Sequence, residues 1–333
     1  MSKRKIYFRA DGDANIGLGH VIRSLSLAHM LKDHFDCGFI IREPDQYLIE
    51  NIQSTCSCIT QLEYSTNYVQ EAEYLVENLE CKSSIIVLDG YNFTTAYQLV
   101  FRDSGFCVVC IDDINPCHFV ADLVINHAGG WTKAEYSTEN YTKVLLGLNY
   151  ALLRPEFLEV NSQNELRHDE CLMICMGGAD PYNHTLKVLK ECILSRKLTE
   201  IVVVTGSRYE SGQALWSFVR NLDSEMDISI VKSLSAEEMR QTMYRCSMAI
   251  TSASTVSIEY LSVGGTLFLI QTADNQERIF SYLIENELAM SFETEFKSFQ
   301  QQKVKRLRYN QSKIDFSGIK TKYINEFNAL GVS

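Results

Sequence analysis

The chain has 333 residues, of which 46% are hydrophobic and 22% charged, and its formal net charge is −11 at pH 7. This length predicts two domains, and the composition is that of an ordinary globular protein. The negative charge argues against nucleic acid or a membrane surface as the main partner, and no apolar run approaches the roughly 18 residues of a membrane span. The basic N-terminal segment is too short and too polar for a signal peptide, so we expect a cytoplasmic protein.

The first segment, KIYFRADGDANIGLGHVIRSLSL at residues 5–27, predicts a strand, a glycine-containing loop and a helix. Ile6 to Phe8 form a short β-favouring apolar run, which suits a buried parallel strand that ends at Arg9. Apolar residues then recur at helical spacing from Val21 onward. This order of elements indicates the start of an α/β domain.

The junction between this loop and its helix is the first candidate site. The helix should begin near Gly19 or His20, where its free N–H groups and the positive end of its dipole favour an anion. Gly17 and Gly19 allow close approach to the backbone, and α/β sheets bind ligands at the carboxyl ends of their strands. We therefore expect His20 to point at the ligand. The alternative is a histidine that only bonds a loop carbonyl.

Strands and helices alternate through the first half of the chain. This rhythm predicts βαβ units with right-handed crossovers and a doubly wound parallel sheet. Further strands are predicted at residues 37–43, 84–88, 106–113 and 121–130, and helices at 44–52, 64–78 and 93–104.

The pattern changes near Leu153, where Pro155 and a polar run at residues 161–170 indicate a linker. A second series of strands and helices follows. We predict an α/β fold of two Rossmann-like, doubly wound domains with an interdomain cleft. The expected boundaries are 1–158 for the first domain, 169–315 for the second, and 316–333 for a final helix that crosses back to the first.

The 11 cysteines are odd in number and scattered, many within apolar runs. They are typical of small buried residues in a reducing compartment. Cys107 and Cys110 form a CxxC inside a predicted strand, where their side chains would face opposite sides of the sheet. We therefore predict neither disulfides nor a redox or metal site from the cysteines.

Two loops of the second half can approach a ligand closely or orient it. Gly177 and Gly178 end a strand in MGGADP, where Asp180 can cap the following helix. The later ADNQE loop offers Asn275 and Gln276, whose neutral amides could orient a sugar.

A third loop, SASTVSIE, combines hydroxyls with a helix start. Ser252, Ser254 and Thr255 lie there and suit a pyrophosphate, and Glu259 could accept bonds from the two hydroxyls of a ribose. The alternative is an ordinary helix cap followed by a solvated glutamate.

Acidic residues also follow strands of the first half. Tyr91, after Asp89, could donate a hydrogen bond to a ligand or could pack over a loop. The aspartate pairs at 11 and 13 and at 112 and 113 are more typical of turns and caps than of a metal site. We expect no metal and no cofactor.

The segments RADGDANIGLGHVIRSLSLA, DGY, IDD, YALLRPEF, CMGGAD, SAST…E…GG and ADNQ together resemble the PseG-type UDP-sugar hydrolases of pseudaminic acid biosynthesis. More distantly they resemble GT-B glycosyltransferases of the lipid II-forming kind. The motifs extend from residue 5 to residue 277. Gly264 and Gly265 replace a glycine–proline turn common in such families, and the NHAGG at residues 126–130 also departs from the pattern.

The resemblance implies metal-independent hydrolysis of UDP-2,4-diacetamido-2,4,6-trideoxy-β-L-altropyranose to UDP and the free sugar. His20 matches the family's catalytic base, which would activate water to attack the anomeric carbon with inversion. It also implies that Ser252, Ser254 and Glu259 hold diphosphate and ribose, and that Tyr91 and Asn275 contact the sugar. The expected partner is a UDP-sugar, and we expect a monomer.

Two alternatives differ from this reading in what the site does. A GT-B transferase would use His20 to deprotonate an acceptor hydroxyl, and for a lipid acceptor it would need an exposed basic or apolar patch, which residues 32–78 do not suggest. A protein that only binds nucleotide sugars would leave His20 without a catalytic role.

Overall fold

A computed structural model describes residues 3–12, 18–81, 83–158, 168–195, 198–223 and 225–331. The contacts divide the chain into two compact units. Unit 1 comprises Met1–Pro155 and Ser317–Ser333, and unit 2 comprises Glu156–Phe316.

The described part of unit 1 alternates strands with helices. Its strands are β1 (Lys5–Ala10), β2 (Asp36–Arg42), β3 (Cys58–Leu62), β4 (Ile85–Asp89), β5 (Cys107–Ile111), β6 (Leu123–Asn126) and β7 (Lys143–Leu146). Its helices are α1 (Gly19–Leu31), α2 (Gln46–Gln53), α3 (Tyr68–Asn78), α4 (Thr95–Asp103) and, from the end of the chain, α12 (Ile319–Ala329).

These strands form one parallel sheet in the order β3-β2-β1-β4-β5-β6-β7. The chain therefore winds outward from β1 in one direction and outward from β4 in the other, which is the doubly wound order. Central strands such as β4 are buried along their whole length, as expected for strands covered on both faces.

Unit 2 repeats this plan. Its described strands are β8 (His168–Cys175), β9 (Glu200–Thr205), β10 (Asp227–Lys232), β11 (Cys246–Ser252), β12 (Thr266–Ile270) and β13 (Met290–Ser291). Its helices are α5 (His184–Cys192), α6 (Gly212–Arg220), α7 (Ala236–Arg245), α8 (Thr255–Val263), α9 (Glu277–Glu285), α10 (Phe292–Glu295) and α11 (Gln301–Gln311). The parallel sheet has the order β10-β9-β8-β11-β12-β13, so the order reverses between β8 and β11.

The prediction that the first strand ends at Arg9 is wrong. β1 continues to Ala10, and the Arg9 side chain is fully buried. Its Nε donates to Glu71 Oε1 at 2.8 Å and its Nη2 donates to Asp11 Oδ2 at 2.7 Å. A charge can stay inside the strand because two carboxylates compensate it.

The last helix packs within unit 1. The hydroxyl of Tyr323 donates to the carbonyl of Tyr150 at 2.5 Å, and Lys143 pairs with Glu326 at 2.6 Å. None of the helices within the described ranges combines the length and apolar character that crossing a bilayer requires. All 11 cysteines are free thiols.

Candidate functional site

His20 lies in the first turn of α1, at the point where the strand order of unit 1 reverses. β1 pairs with β2 on one side and with β4 on the other, so the loop after β1 faces the place where doubly wound sheets bind ligands. Gly19 is the first helical residue, and a Cβ added to it would meet no atom of the described residues within 4 Å beyond its chain neighbours and the backbone of its own helix. The space in front of this backbone is therefore open to a ligand. Gly17 lies outside the described residues.

The imidazole of His20 is held by Asp89, the last residue of β4. His20 Nδ1 lies 2.6 Å from Asp89 Oδ1, and the two residues are only 6% and 0% exposed. Burial raises the pKa of Asp89, but Arg23 and His20 outweigh this effect and lower it to about 2. Arg23 Nη2, which can only donate, also lies 3.0 Å from Nδ1, but the carboxylate, ionised at neutral pH, is the closer partner at 2.6 Å and favours the proton on this nitrogen. In that tautomer Nε2 is the basic nitrogen of the ring.

Arg23 joins Asp89 to a second aspartate. Its Nε and Nη2 donate to the two oxygens of Asp89 at 2.7 and 2.6 Å, and its Nη1 donates to Asp113 Oδ2 at 2.9 Å. Burial lowers the pKa of Arg23, whereas the two aspartates raise it well above its usual value. Ser24 adds a further bond to Asp89 Oδ2 at 3.1 Å. Asp89 is therefore fixed in position by three side chains.

Tyr91 contacts both His20 and Asp113. Its hydroxyl donates to Asp113 Oδ2 at 3.3 Å, and its ring meets the His20 ring edge-on, with centroids 4.8 Å apart. Tyr91 is 40% exposed, so it packs against the histidine and also remains accessible to a ligand. Asp113 Oδ1 is buried and has no hydrogen-bond partner in the described part of the chain.

Asp112, adjacent to Asp113, has a structural role. It is 5% exposed and accepts bonds from the backbone of Asn115 at 2.9 Å and from the hydroxyl of Tyr136 at 2.7 Å. Burial raises its pKa. Within the described ranges, no group of three or more His, Cys, Asp or Glu side chains is arranged to hold a metal ion. Asp13 lies outside these ranges.

Glycines bring two loops together at the strand-order reversal of unit 2. Gly177, after β8, has a φ of +88°, and a Cβ there would lie 3.7 Å from Ser252 Oγ. Gly206, after β9, packs so closely that a Cβ on it would lie 2.2 Å from the carbonyl oxygen of Gly178. Asp180 accepts bonds at 2.8 Å from the first two N–H groups of α5. These loops therefore expose backbone at the carboxyl edge of the sheet.

Ser252 ends β11 and Thr255 begins α8. Ser254 occupies the N-cap position, but its hydroxyl makes no cap bond to the helix and instead lies 2.9 Å from Ser252 Oγ. Glu259 is 3% exposed, so the alternative of a capping serine with a solvated glutamate is wrong. Hydroxyls, free N–H groups and a buried carboxylate thus occur together at one helix start.

The loop after β12 begins beside this helix start, because Ile270 pairs with Ser252. Asn275 is exposed, and Gln276 Oε1 accepts bonds from the backbone and the hydroxyl of Thr272 at 2.9 and 3.1 Å. A cavity of about 460 Å³ reaches Asp274 of this loop but is lined by neither Asn275 nor Ser252. Its lining comprises Tyr182, His184, residues 269–274, Phe280, Ser291 and Glu293.

The sequence interpretation missed the network around His20. It noted Asp89 and Asp113 only as residues that follow strands, and it did not single out Arg23. A signal was present, since His20 and Arg23 are three residues apart and share a helix face. The pairing with Asp89 depends on β1 and β4 being neighbours, which chain order alone does not give.

Comparisons with solved structures define the class of fold. The chain is similar to MurG of Acinetobacter baumannii, with a TM-score of 0.68 at 12% identity over 98% of this chain and 100% of that chain. It is also similar to the calicheamicin glycosyltransferase CalG4, with a TM-score of 0.64 at 13% identity over 99% and 98% of the chains, and to a UDP-N-acetylglucosamine 2-epimerase, with a TM-score of 0.60 at 12% identity over 98% and 95%. The GT-B-like fold of two parallel-sheet α/β domains is therefore confirmed.

Comparisons with curated sequences are more specific. The chain is 27% identical over 299 residues to the UDP-2,4-diacetamido-2,4,6-trideoxy-β-L-altropyranose hydrolase of Campylobacter jejuni, which covers 88% of this chain and 99% of the relative. It is 26% identical over 270 residues to the uncharacterized protein MJ1062 of Methanocaldococcus jannaschii, covering 78% of this chain and 54% of that protein. The chain thus spans about half the length of the archaeal relative. No family model matches.

Proposed function

We propose that this chain is an enzyme that processes a UDP-sugar, and that it hydrolyses UDP-2,4-diacetamido-2,4,6-trideoxy-β-L-altropyranose to UDP and the free sugar. The reaction would be a step in pseudaminic acid biosynthesis. The similarity to the Campylobacter hydrolase along nearly all of both chains supports this substrate. The observation that carries the proposed chemistry is the 2.6 Å contact between His20 Nδ1 and Asp89 Oδ1.

In the proposed reaction, His20 is the general base. Its Nε2 takes a proton from water while the water oxygen bonds to the anomeric carbon. The bond between that carbon and the diphosphate oxygen breaks, and UDP leaves with the electron pair. Attack opposite to the leaving group inverts the anomeric configuration. Ionised Asp89 stabilises the imidazolium as it forms, and a positioned base of this kind contributes roughly 10²- to 10⁴-fold in rate.

Unit 2 would bind the nucleotide. The start of α8, with Ser252, Ser254 and Thr255, offers hydroxyls and N–H groups to the diphosphate. Buried Glu259 would accept bonds from the ribose hydroxyls. Gly177 and Gly178 would allow the phosphates to approach the backbone.

The loop after β12 would orient the sugar through two neutral amides. Asn275 is exposed, so its amide is accessible to a ligand. Gln276 can offer its Nε2 group, because its Oε1 already accepts hydrogen bonds from Thr272.

The second candidate function is transfer of the sugar to an acceptor hydroxyl. The similarity to the calicheamicin glycosyltransferase favours it only at the level of fold. Segment 32–78, for which the sequence suggests no patch for a lipid acceptor, exposes three aromatic side chains. Tyr47, Tyr64 and Tyr74 of that segment are 63%, 71% and 54% exposed.

Incubation of the protein with the UDP-linked diacetamido sugar in ¹⁸O-water, without an acceptor, tests the proposal. We expect release of UDP and one ¹⁸O atom in the sugar product, measured by mass spectrometry. The label in a nucleotide product would mean attack at phosphorus and would contradict the mechanism. Turnover only after addition of an acceptor would establish the transferase.

A further inference from the structure

His127 is a buried histidine that the proposed mechanism does not use. It follows β6 directly and belongs to the NHAGG segment that departs from the family pattern. It is 4% exposed, and the backbone N–H of Leu152 donates to its Nδ1 at 3.3 Å. A backbone N–H can only donate, so Nδ1 must be unprotonated and the ring proton lies on Nε2. The fold therefore selects one neutral tautomer of this side chain.

The charges that surround His127 are those of the His20 network. Burial lowers the pKa of His127 to about 4, Arg23 lowers it too, and Asp113 and Asp89 raise it. The geometry agrees, because Ile111 pairs with Ile125 and the N–H of Asp112 donates to the carbonyl of Ile125 at 2.9 Å, so Asp113 and His127 follow neighbouring strands at the same edge of the sheet. His127 is neutral at pH 7. Among the described residues no acceptor takes the Nε2 proton. An oriented, neutral donor thus remains available beside the candidate base.

We infer that His127 donates a hydrogen bond from Nε2 to an uncharged oxygen of the substrate's sugar, the carbonyl of an acetamido group, and thereby sets which sugar is accepted. This inference rests on the proposed function.

The surroundings favour an uncharged acceptor over a phosphate. A phosphate group is best bound by a free cation, whereas Arg23 is already paired with Asp89 and Asp113. Two carboxylates beside His127 would repel a diphosphate. A neutral N–H donor can bind an uncharged oxygen and does not require an anion. A site that donates to one substrate oxygen discriminates strongly against sugars that lack this oxygen.

Two substitutions separate the donor from the structural bond. His127→Asn can still accept from Leu152 N–H through Oδ1, but it has no atom at the position of Nε2. His127→Gln is long enough to place an amide donor near that position. Affinities for UDP and for the UDP-linked diacetamido sugar are measured by calorimetry in a His20→Ala background, which suppresses turnover.

We expect His127→Asn to weaken binding of the UDP-sugar by about tenfold, the equivalent of one hydrogen bond, and to leave UDP binding unchanged. His127→Gln should recover part of the loss. Equal losses for UDP and UDP-sugar, or no loss at all, would overturn the inference. Failure of the proposed function appears separately, as a His20-containing protein that binds the UDP-sugar but releases no UDP.

A spectroscopic measurement tests the tautomer without any ligand. Long-range ¹H–¹⁵N correlation spectra of the intact protein should show His127 neutral and protonated on Nε2 down to about pH 5, since its pKa is about 4. A ring protonated on Nδ1, or charged at pH 7, would contradict the inference.

Discussion

The two units share a strand order, but they place different chemistry at the point where that order reverses. In unit 1, the loop after β1 and the end of β4 bring His20 within 2.6 Å of Asp89. In unit 2, the corresponding positions after β8 and at the end of β11 bring Gly177 towards Ser252, with no titratable side chain at either position. One reversal point presents an imidazole beside a carboxylate, and the other presents backbone and hydroxyls.

This difference shows that the fold supplies a position and the residues supply the function. The charged groups around His20 are paired with each other, as Arg23 is with Asp89 and Asp113. Such a network suits control of a proton. The first residues of α8 present hydroxyls and N–H groups, which suits an anion. Substitutions in unit 1 should therefore change the rate of the chemical step, and those in unit 2 should change nucleotide affinity.

The largest expected effect is that of His20→Ala. Loss of the base should lower kcat by roughly 10²- to 10⁴-fold and leave the dissociation constant for UDP unchanged, measured by steady-state kinetics and calorimetry. The exposed His34 in the same unit provides the control, since His34→Ala should change neither value. A variant at His20 with full activity would remove the base from the mechanism.

Asp89→Asn should have the next largest effect. An amide in this position no longer favours the proton on Nδ1, so the proportion of His20 with a basic Nε2 falls. We expect kcat to drop roughly 10- to 100-fold, less than for loss of the base itself. Nitrogen chemical shifts of the ring should show the change of tautomer.

Ser24→Ala is the matched control for Asp89→Asn. It removes one bond to Asp89 and leaves both bonds from Arg23, so kcat should change only slightly. If the two variants lower kcat equally, Asp89 acts through packing and not through the imidazole.

Glu259→Gln tests the proposed role of unit 2 in nucleotide binding. Replacing the buried carboxylate should weaken UDP binding by about tenfold, because the proposed charge-assisted bond to the ribose hydroxyls would be lost, while kcat stays nearly constant. The variant should also lose any preference for UDP over 2′-deoxy-UDP. Exposed Glu285→Gln in the same unit should change neither property, and a fall in kcat alone would contradict the division of roles.

The sequence could predict the parts of this arrangement that are local in the chain. His20 and Ser254 each follow an apolar strand and begin a helix, and this pattern is visible in a single segment. Asp89 and Arg23 are 66 positions apart, and their pairing exists because β4 inserts beside β1. Such neighbour relations depend on how the sheet assembles, so they could not be predicted from spacing.

Edge strands were harder to predict than central ones. β3 and β7 were not predicted, because β3 is half-exposed with a mixed polar pattern and β7 has only four residues. Continuous apolar runs mark strands buried on both faces, and edge strands lack them. The prediction of a strand end at Arg9 failed within a central strand, β1. The charge of Arg9 suggested the end of a strand, whereas its partner Glu71 comes from a distant helix.

The smallest expected effect tests why a glycine precedes the histidine. Within the part of the chain that the structure describes, an added Cβ on Gly19 would meet nothing within 4 Å beyond its chain neighbours and its own helix backbone, so these residues leave room for alanine. Gly19→Ala should raise the free energy of unfolding by roughly 0.5–1 kcal/mol, because alanine favours the helix. If the substrate must approach this backbone, kcat/KM should nevertheless fall several-fold.

Gly212→Ala is the matched control, because Gly212 also begins a helix and faces open space. It should give the same gain in stability with unchanged kinetics. A loss of kcat/KM that occurs in Gly19→Ala and not in Gly212→Ala would then be due to the approach of the substrate to this backbone. Unchanged kinetics in both variants would show that the glycine serves the loop before α1 and not the substrate.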